Sequence, residues 1–176
     1  MATRSSPTGH GEGTLSLELI HEANPERGAD LLVTFPWASE KNEFGVPGTS
    51  STSTSGVTGP REGPGSGHGS FSPWDVRNTF LAWGADIKDG TVSPVPAGNI
   101  DLAPTILELV GVDADADLDG RVLTEAMNDG PDPFKVPFET AMITTDLPDG
   151  ESTAMVRVSV TGGTRYIDAA WRTTQP

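Results

Sequence analysis

NIDLAPTILELVG, residues 99–111, is the stretch on which the fold turns. Asn99 or Asp101 offers a side-chain acceptor to the free N–H groups of a first helical turn. Pro104 falls where no backbone donor is lost, and Gly111 supplies a stop. Ile100, Ala103, Leu107 and Val110 recur at helical spacing and predict one apolar face. Upstream, residues 78–83 (NTFLAW), closed by Gly84, are an apolar run of strand length. A strand, a loop and an amphipathic helix in that order predict an α/β layer with the helix packed on a sheet.

Working outward, residues 30–35 (DLLVTF) are a compact apolar run closed by Pro36, suited to a buried strand of a parallel sheet. Residues 15–20 (LSLELI) alternate over too short a span to separate a short helix from a strand. Towards the end, residues 154–160 (AMVRVSV) alternate cleanly and connect through Gly162-Gly163 to RYIDAAW, which predicts a β-hairpin. Residues 49–67 (TSSTSTSGVTGPREGPGSG) can bury almost nothing and predict a solvated loop far longer than the usual connection of about 4–6 residues. The organisation expected is a polar, structureless start over residues 1–14, a main α/β domain over 15–128 and a C-terminal β extension over 129–176.

Composition narrows the class. The 176 residues are 35% hydrophobic, with 21 glycines and 15 prolines, which permits a folded but thin core with many turns and excludes collagen, coiled coil and helix bundle. Acidic side chains number 25 against 11 basic ones, a net charge of −14. Binding a phosphate backbone takes clustered Lys and Arg, and the only lysines are Lys41, Lys88 and Lys135, so nucleic acid is not an expected partner. No run approaches the roughly 18 apolar residues of a membrane span, and residues 1–13 are polar, so neither a membrane nor an export signal is expected within the chain. With no cysteine, disulfides and thiolate catalysis fall away.

Few residues carry chemistry on their own spacing. His21 sits in a polar stretch and reads as a surface or capping residue, and His10 lies in the polar start. His68 differs, because glycines on both sides remove Cβ bulk and let a ligand approach the imidazole, the commonest transition-metal ligand. The run Asp113-Ala-Asp115-Ala-Asp117-Leu-Asp119-Gly120 invites comparison with a calcium loop. Asp115, Asp117 and Asp119 would take its first, third and fifth positions, yet the twelfth is Ala126, with Glu125 one residue early. An acidic surface turn is the better reading. GxSxG, GxxxxGK[ST] and HExxH are all absent.

Taken together, GHGSFSPWDVRNTFLAWGADIKDGTVSPVPAGNIDLAPTILELVGV and the following DGRVLTEAM resemble the C-terminal part of the alkaline phosphatase superfamily, on its type I phosphodiesterase and nucleotide pyrophosphatase side. The order carries the resemblance: a glycine-flanked His, a buried strand ending in G-x-D-hydrophobic-K, a short loop, an N-x-D-hydrophobic-A-P-T helix and a G-R-x-L-x-E-A segment. LSLELIHEANPERGADLLVTF and SEKNEFGVPGT resemble the stretch just before that His. Residues 15–128 are covered, and the final hairpin is not.

The resemblance implies part of an alkaline-phosphatase-like sandwich, a sheet with flanking helices, ending in the C-terminal β-hairpin. It implies His68 as a ligand of one of two metal ions, usually zinc, with another divalent cation as the alternative. The substrate implied is a small-molecule phosphoester. Asp101–Val110 and Gly120–Met127 become scaffold, and no catalytic nucleophile is assigned. The superfamily draws its nucleophile and most metal ligands from upstream segments, including a D-H-G motif that these residues lack. The chain is therefore expected to be a C-terminal fragment of a phosphodiester or nucleotide hydrolase, inert alone, whose partner is the missing N-terminal part of the same domain. An exported or periplasmic location would follow from a longer precursor. Two alternatives stand beside this: a sulfatase or phosphonate-cleaving relative, and a free-standing acidic binding module using the Ser/Thr-rich loop or the aspartate turn.

Overall fold

The computed structural model describes residues 2–4, 11, 13–22, 24–34, 36–48, 70–113 and 117–174. The protein is mixed α/β. Among the described residues, six strands form two three-stranded sheets. The chain divides into two compact units, one of residues 1–78, 142–157 and 167–176, the other of residues 79–141 and 158–166. Among the described residues no helix is long and apolar enough to cross a membrane.

In the first unit, β1 (Ala2–Arg4) pairs in parallel with β2 (Thr14–Ser16) and antiparallel with β3 (Leu31–Val33), Thr3 standing between Leu15 and Leu32. Backbone pairing needs no apolar side chains, which is how part of the polar start enters a sheet. The ambiguous 15–20 segment is both things in turn: the end of β2 and then a 3-10 turn, Leu17–Ile20. Ser16 Oγ accepts from the Glu18 N–H at 3.2 Å, a local cap that diverts the chain out of the strand. Leu15, Leu17 and Leu19 are buried. The expectation for residues 30–35 is corrected. β3 is not a buried parallel strand; it is antiparallel, three residues long and paired on one side, and Leu31 and Val33 are 51% and 57% exposed. An apolar run is buried only where a second layer covers it. Helix α1 (Pro73–Val76) starts at Ser72, whose Oγ accepts from the Trp74 N–H at 3.2 Å.

The second unit contains the predicted helix. It opens as a 3-10 turn, Asn99–Asp101, continues as α2 (Leu102–Leu109) and ends at Gly111 with φ 67°. The Gly111 N–H donates to Glu108 O at 3.1 Å and the Val112 N–H to Leu107 O at 2.9 Å, the paired bonds of a Schellman stop. The buried side of this helix is not the predicted one. Asp101, Pro104 and Thr105 are buried, whereas Ala103 and Val110 are exposed, because the neighbouring segment offers donors to Asp101 and Thr105 rather than an apolar floor. The strand expected at residues 78–83 is absent, and all six residues are exposed. Nothing among the described residues pairs with its backbone, and a strand exists only by pairing. A short antiparallel bridge follows, Ile87 opposite Met127, with the Lys88 N–H on Ala126 O and the Asn128 N–H on Asp86 O, both 2.9 Å.

β4 (Glu139–Asp146), β5 (Ser152–Thr161) and β6 (Thr164–Thr174) form the longer, antiparallel sheet and contribute residues to each unit. The hairpin expected at Gly162-Gly163 is present: both glycines have positive φ, 58° and 87°, the backbone a two-residue turn requires. Along β5, Ser152, Ala154, Val156 and Val158 are buried with the two-residue period of a strand. Two three-stranded sheets and short helices do not by themselves amount to the sandwich the resemblance implies.

Candidate functional site

His68, His10 and Asp115, with the whole of residues 49–67, lie outside the described residues. His21 closes the 3-10 turn at φ 57°, its N–H reaching Glu18 O and Leu17 O, a capping role as its surroundings predicted. Asp117 and Asp119 are exposed. Glu125, the near miss for a calcium loop, has its carboxylate occupied by Arg121. Among the described residues no group of three His, Asp or Glu is placed to hold a metal ion.

What the second unit does assemble is a polar cluster centred on Asp101, whose side chain is completely buried. Its Oδ2 accepts from the Gly98 N–H at 2.8 Å, which fixes the start of the 3-10 turn. Its Oδ1 accepts from the Arg121 N–H at 2.8 Å and from the Tyr166 hydroxyl at 3.1 Å. One carboxylate thereby ties the helix start, the segment after the aspartate run and the head of β6. Gly120 permits this approach, since a Cβ there would stand 2.1 Å from the Ile100 carbonyl oxygen.

Arg121 then links Asp101's neighbours to Glu125. Its Nη1 and Nη2 donate to the two carboxylate oxygens of Glu125 at 2.8 and 2.6 Å, its Nη2 also to Pro96 O at 3.0 Å, and its Nε to the Tyr166 hydroxyl at 3.1 Å. This is the forked pairing that a planar guanidinium favours and an ammonium does not. Thr105 Oγ1 accepts from the Leu123 N–H at 3.0 Å. Lys88 Nζ closes the loop beyond, donating to the carbonyls of Glu125, Gly130 and Pro131 at 3.1, 2.9 and 2.6 Å.

The electrostatics follow from the geometry. Burial works against the charged Glu125, but the bonds from Arg121, its own backbone N–H and the charges of Arg121 and Lys88 outweigh it and hold its pKa below the usual carboxylate range. Burial likewise opposes the Arg121 cation, and Glu125 more than compensates, raising its pKa. The Tyr166 hydroxyl is pushed up to about 12, first by burial and then by the Asp101 charge, with Arg121 offsetting only part. Each charged group of the cluster has a partner among the described residues, which suits a structural clamp better than a proton-transfer site. Asp101, Arg121 and Glu125 are visible in the N-x-D and G-R-x-L-x-E-A segments, already read as scaffold. Tyr166 was missed, since a tyrosine in an alternating strand carries no local sign of a partner 65 residues away.

The same unit presents an inverse feature. Phe80, Leu81 and Trp83 are 54%, 77% and 87% exposed, and on α2 Leu102, Ile106 and the following Val110 form an exposed apolar stripe at four-residue intervals. Patches of this kind mark surfaces that another layer covers. No family model matches the chain, and no solved structure matches it.

Proposed function

We propose that the chain is the C-terminal part of a metal-dependent phosphoester hydrolase of the alkaline phosphatase type, acting on a small-molecule phosphodiester or nucleotide and inert by itself. The observation that carries this is the Asp101 clamp. The N-x-D-hydrophobic-A-P-T helix and the G-R-x-L-x-E-A segment resemble one superfamily in order and spacing, and one buried carboxylate holds them together. The exposed apolar run at residues 78–83 and the uncovered stripe of α2 add support, because a domain cut through its middle exposes such surfaces.

On this assignment His68 supplies one metal ligand, and the nucleophile and remaining ligands belong to polypeptide beyond these residues. A catalytic zinc typically takes about three protein ligands. The described residues provide no such set, so no reaction step is assigned to them. When bound, paired cations clamp a phosphoryl group between attacking and leaving oxygens. This chain's own contribution is to hold the helix and the residue 120–127 segment rigid.

Hydrolysis of bis(p-nitrophenyl) phosphate with zinc or manganese tests the proposal. No turnover is expected from the 176-residue chain. The polypeptide read in frame through Met1 from the upstream coding sequence, carrying D-H-G and a Ser or Thr nucleophile, is expected to turn over and to lose on the order of a hundredfold or more in His68→Ala. Turnover by the chain alone, or an unchanged rate in the His68→Ala polypeptide, overturns the proposal.

A further inference from the structure

We infer that the outer edge of β4 is where two copies of the chain join, β4 against β4 about a two-fold axis, so that the three strands of each copy run on into one antiparallel sheet. In each copy β5 stands between β4 and β6, which leaves the sheet two edges. The β6 edge is capped at Ala170, whose N–H donates to Phe71 O at 2.8 Å and whose carbonyl accepts from Trp37 Nε1. No described residue hydrogen-bonds to the outer edge of β4. The Leu147 N–H donates to Ser152 O at 2.8 Å, and bonded and non-bonded residues alternate along an antiparallel strand. Ile143 and Thr145 therefore turn their backbone groups to β5, and Met142, Thr144 and Asp146 turn theirs outward. Edges that must stay single are guarded by lysine or proline, and Glu139–Asp146 (ETAMITTD) has neither.

The residues of the strand select a second copy as the occupant. A two-fold axis perpendicular to the sheet keeps every side chain on its own face, so opposed residues must have numbers of equal parity. Glu139 and Asp146, the only charged residues of β4, differ in parity and never stand opposite each other. With the axis at Ile143, that residue faces its own copy, Ala141 faces Thr145, Met142 faces Thr144 and Thr140 faces Asp146. Every outward backbone group from Thr140 to Asp146 is then paired. Asp146 gains a hydroxyl neighbour of the kind it already has in Thr153, whose Oγ1 donates to its Oδ1 at 3.0 Å. Met142, 46% exposed, gains cover. Because the β6 edge is capped, the pairing closes at two copies and does not run on into a fibre. The net charge of −14 on each chain opposes the approach, so salt is expected to tighten the dimer.

The chain has no cysteine, so single-cysteine variants read the register by cross-linking. Opposed residues of a non-hydrogen-bonded pair stand about 4.5 Å apart at Cα, within reach of a disulfide. In a glutathione redox buffer Ile143→Cys is expected to form a covalent dimer. Asp146→Cys is expected to form none, because its two copies would lie roughly 20 Å apart. Sedimentation equilibrium of the unaltered chain is expected to show a monomer–dimer equilibrium that tightens about tenfold between about 0.05 and 0.5 M sodium chloride. Thr144→Pro removes an outward N–H and is expected to weaken the dimer about tenfold or more. Should circular dichroism show that variant unfolded, Met142→Glu, a change at an exposed side chain, carries the same expectation. A monomer at about 100 μM protein in about 0.5 M salt overturns the inference. A dimer that cross-links through Asp146→Cys and not through Ile143→Cys, or that is indifferent to the folded edge variants, overturns it too. Species larger than a dimer overturn the closure.

Discussion

Within one compact unit, the Asp101 clamp and the 79–83 run reverse the usual placement of side chains. Asp101 and Glu125, both charged, are 0% and 2% exposed, while Trp83, among the most apolar residues of the chain, is 87% exposed. Charged groups are buried only when paired and hydrogen-bonded, and Asp101 has three donors on it. Aromatic surface is buried only when something covers it, and nothing described does so for Trp83. Available partners, more than residue type, decide what this unit puts inside.

Breaking the clamp at its cation is expected to have the largest effect. Arg121→Met removes both hydrogen bonds to Glu125 and leaves a buried carboxylate unpaired, at a cost of about 3–5 kcal/mol read by urea unfolding. A loss below about 1 kcal/mol would mean that the cluster is hydrated. Next comes Tyr166. Tyr166→Phe removes a donor to Asp101 and an acceptor for Arg121 and is expected to cost about 1–3 kcal/mol. Because Tyr166 is the only tyrosine, absorbance at 295 nm reports its ionisation alone. The folded midpoint should lie near about 12, against roughly 10 in urea. Its folded-state value is raised, so the stability it confers is fully present below about pH 10 and is lost as pH rises from there through about 12. A folded midpoint at the unfolded value would remove the contact with Asp101.

A smaller effect is expected at acid pH. The folded-state pKa of Glu125 is lowered, so its contribution is present above the unfolded value of roughly 4.3 and disappears as pH falls through the folded one. Glu125→Gln should flatten that limb of a stability–pH curve below about pH 4. An unchanged limb would assign the acid sensitivity to other carboxylates. The smallest effect belongs to the other side of the comparison. Trp83→Lys should change the stability of the chain by no more than about 0.5 kcal/mol, as exposed positions do. A larger loss would show that the indole is packed, and the contrast with Asp101 would collapse.

Much of the local structure is legible in the residues. The stop at Gly111 and the turn at Gly162-Gly163 rest on backbone geometry that glycine adopts readily, and both appear where expected. The capping role of His21 is similarly local. Errors arise where apolar content is taken for burial. Leu31, Val33 and the 78–83 run are apolar and exposed, and the helix turns Asp101, Pro104 and Thr105 inward instead of its predicted stripe. Of the candidate site, His68 is named by its glycines and by resemblance, whereas the partners of Asp101 carry no neighbouring signal, because Arg121 and Tyr166 stand 20 and 65 residues away.

Residue order by itself determined the elements whose ends are fixed within a few positions: the helix from Asn99 to its glycine stop and the C-terminal hairpin at Gly162-Gly163. Short-range bonds depend on side chains that lie next to one another in the chain. The tertiary structure alone decided that Asp101 is a buried anchor and that residues 78–83 stay uncovered. Each of those depends on which distant group arrives to pair or to cover, and that is settled in space.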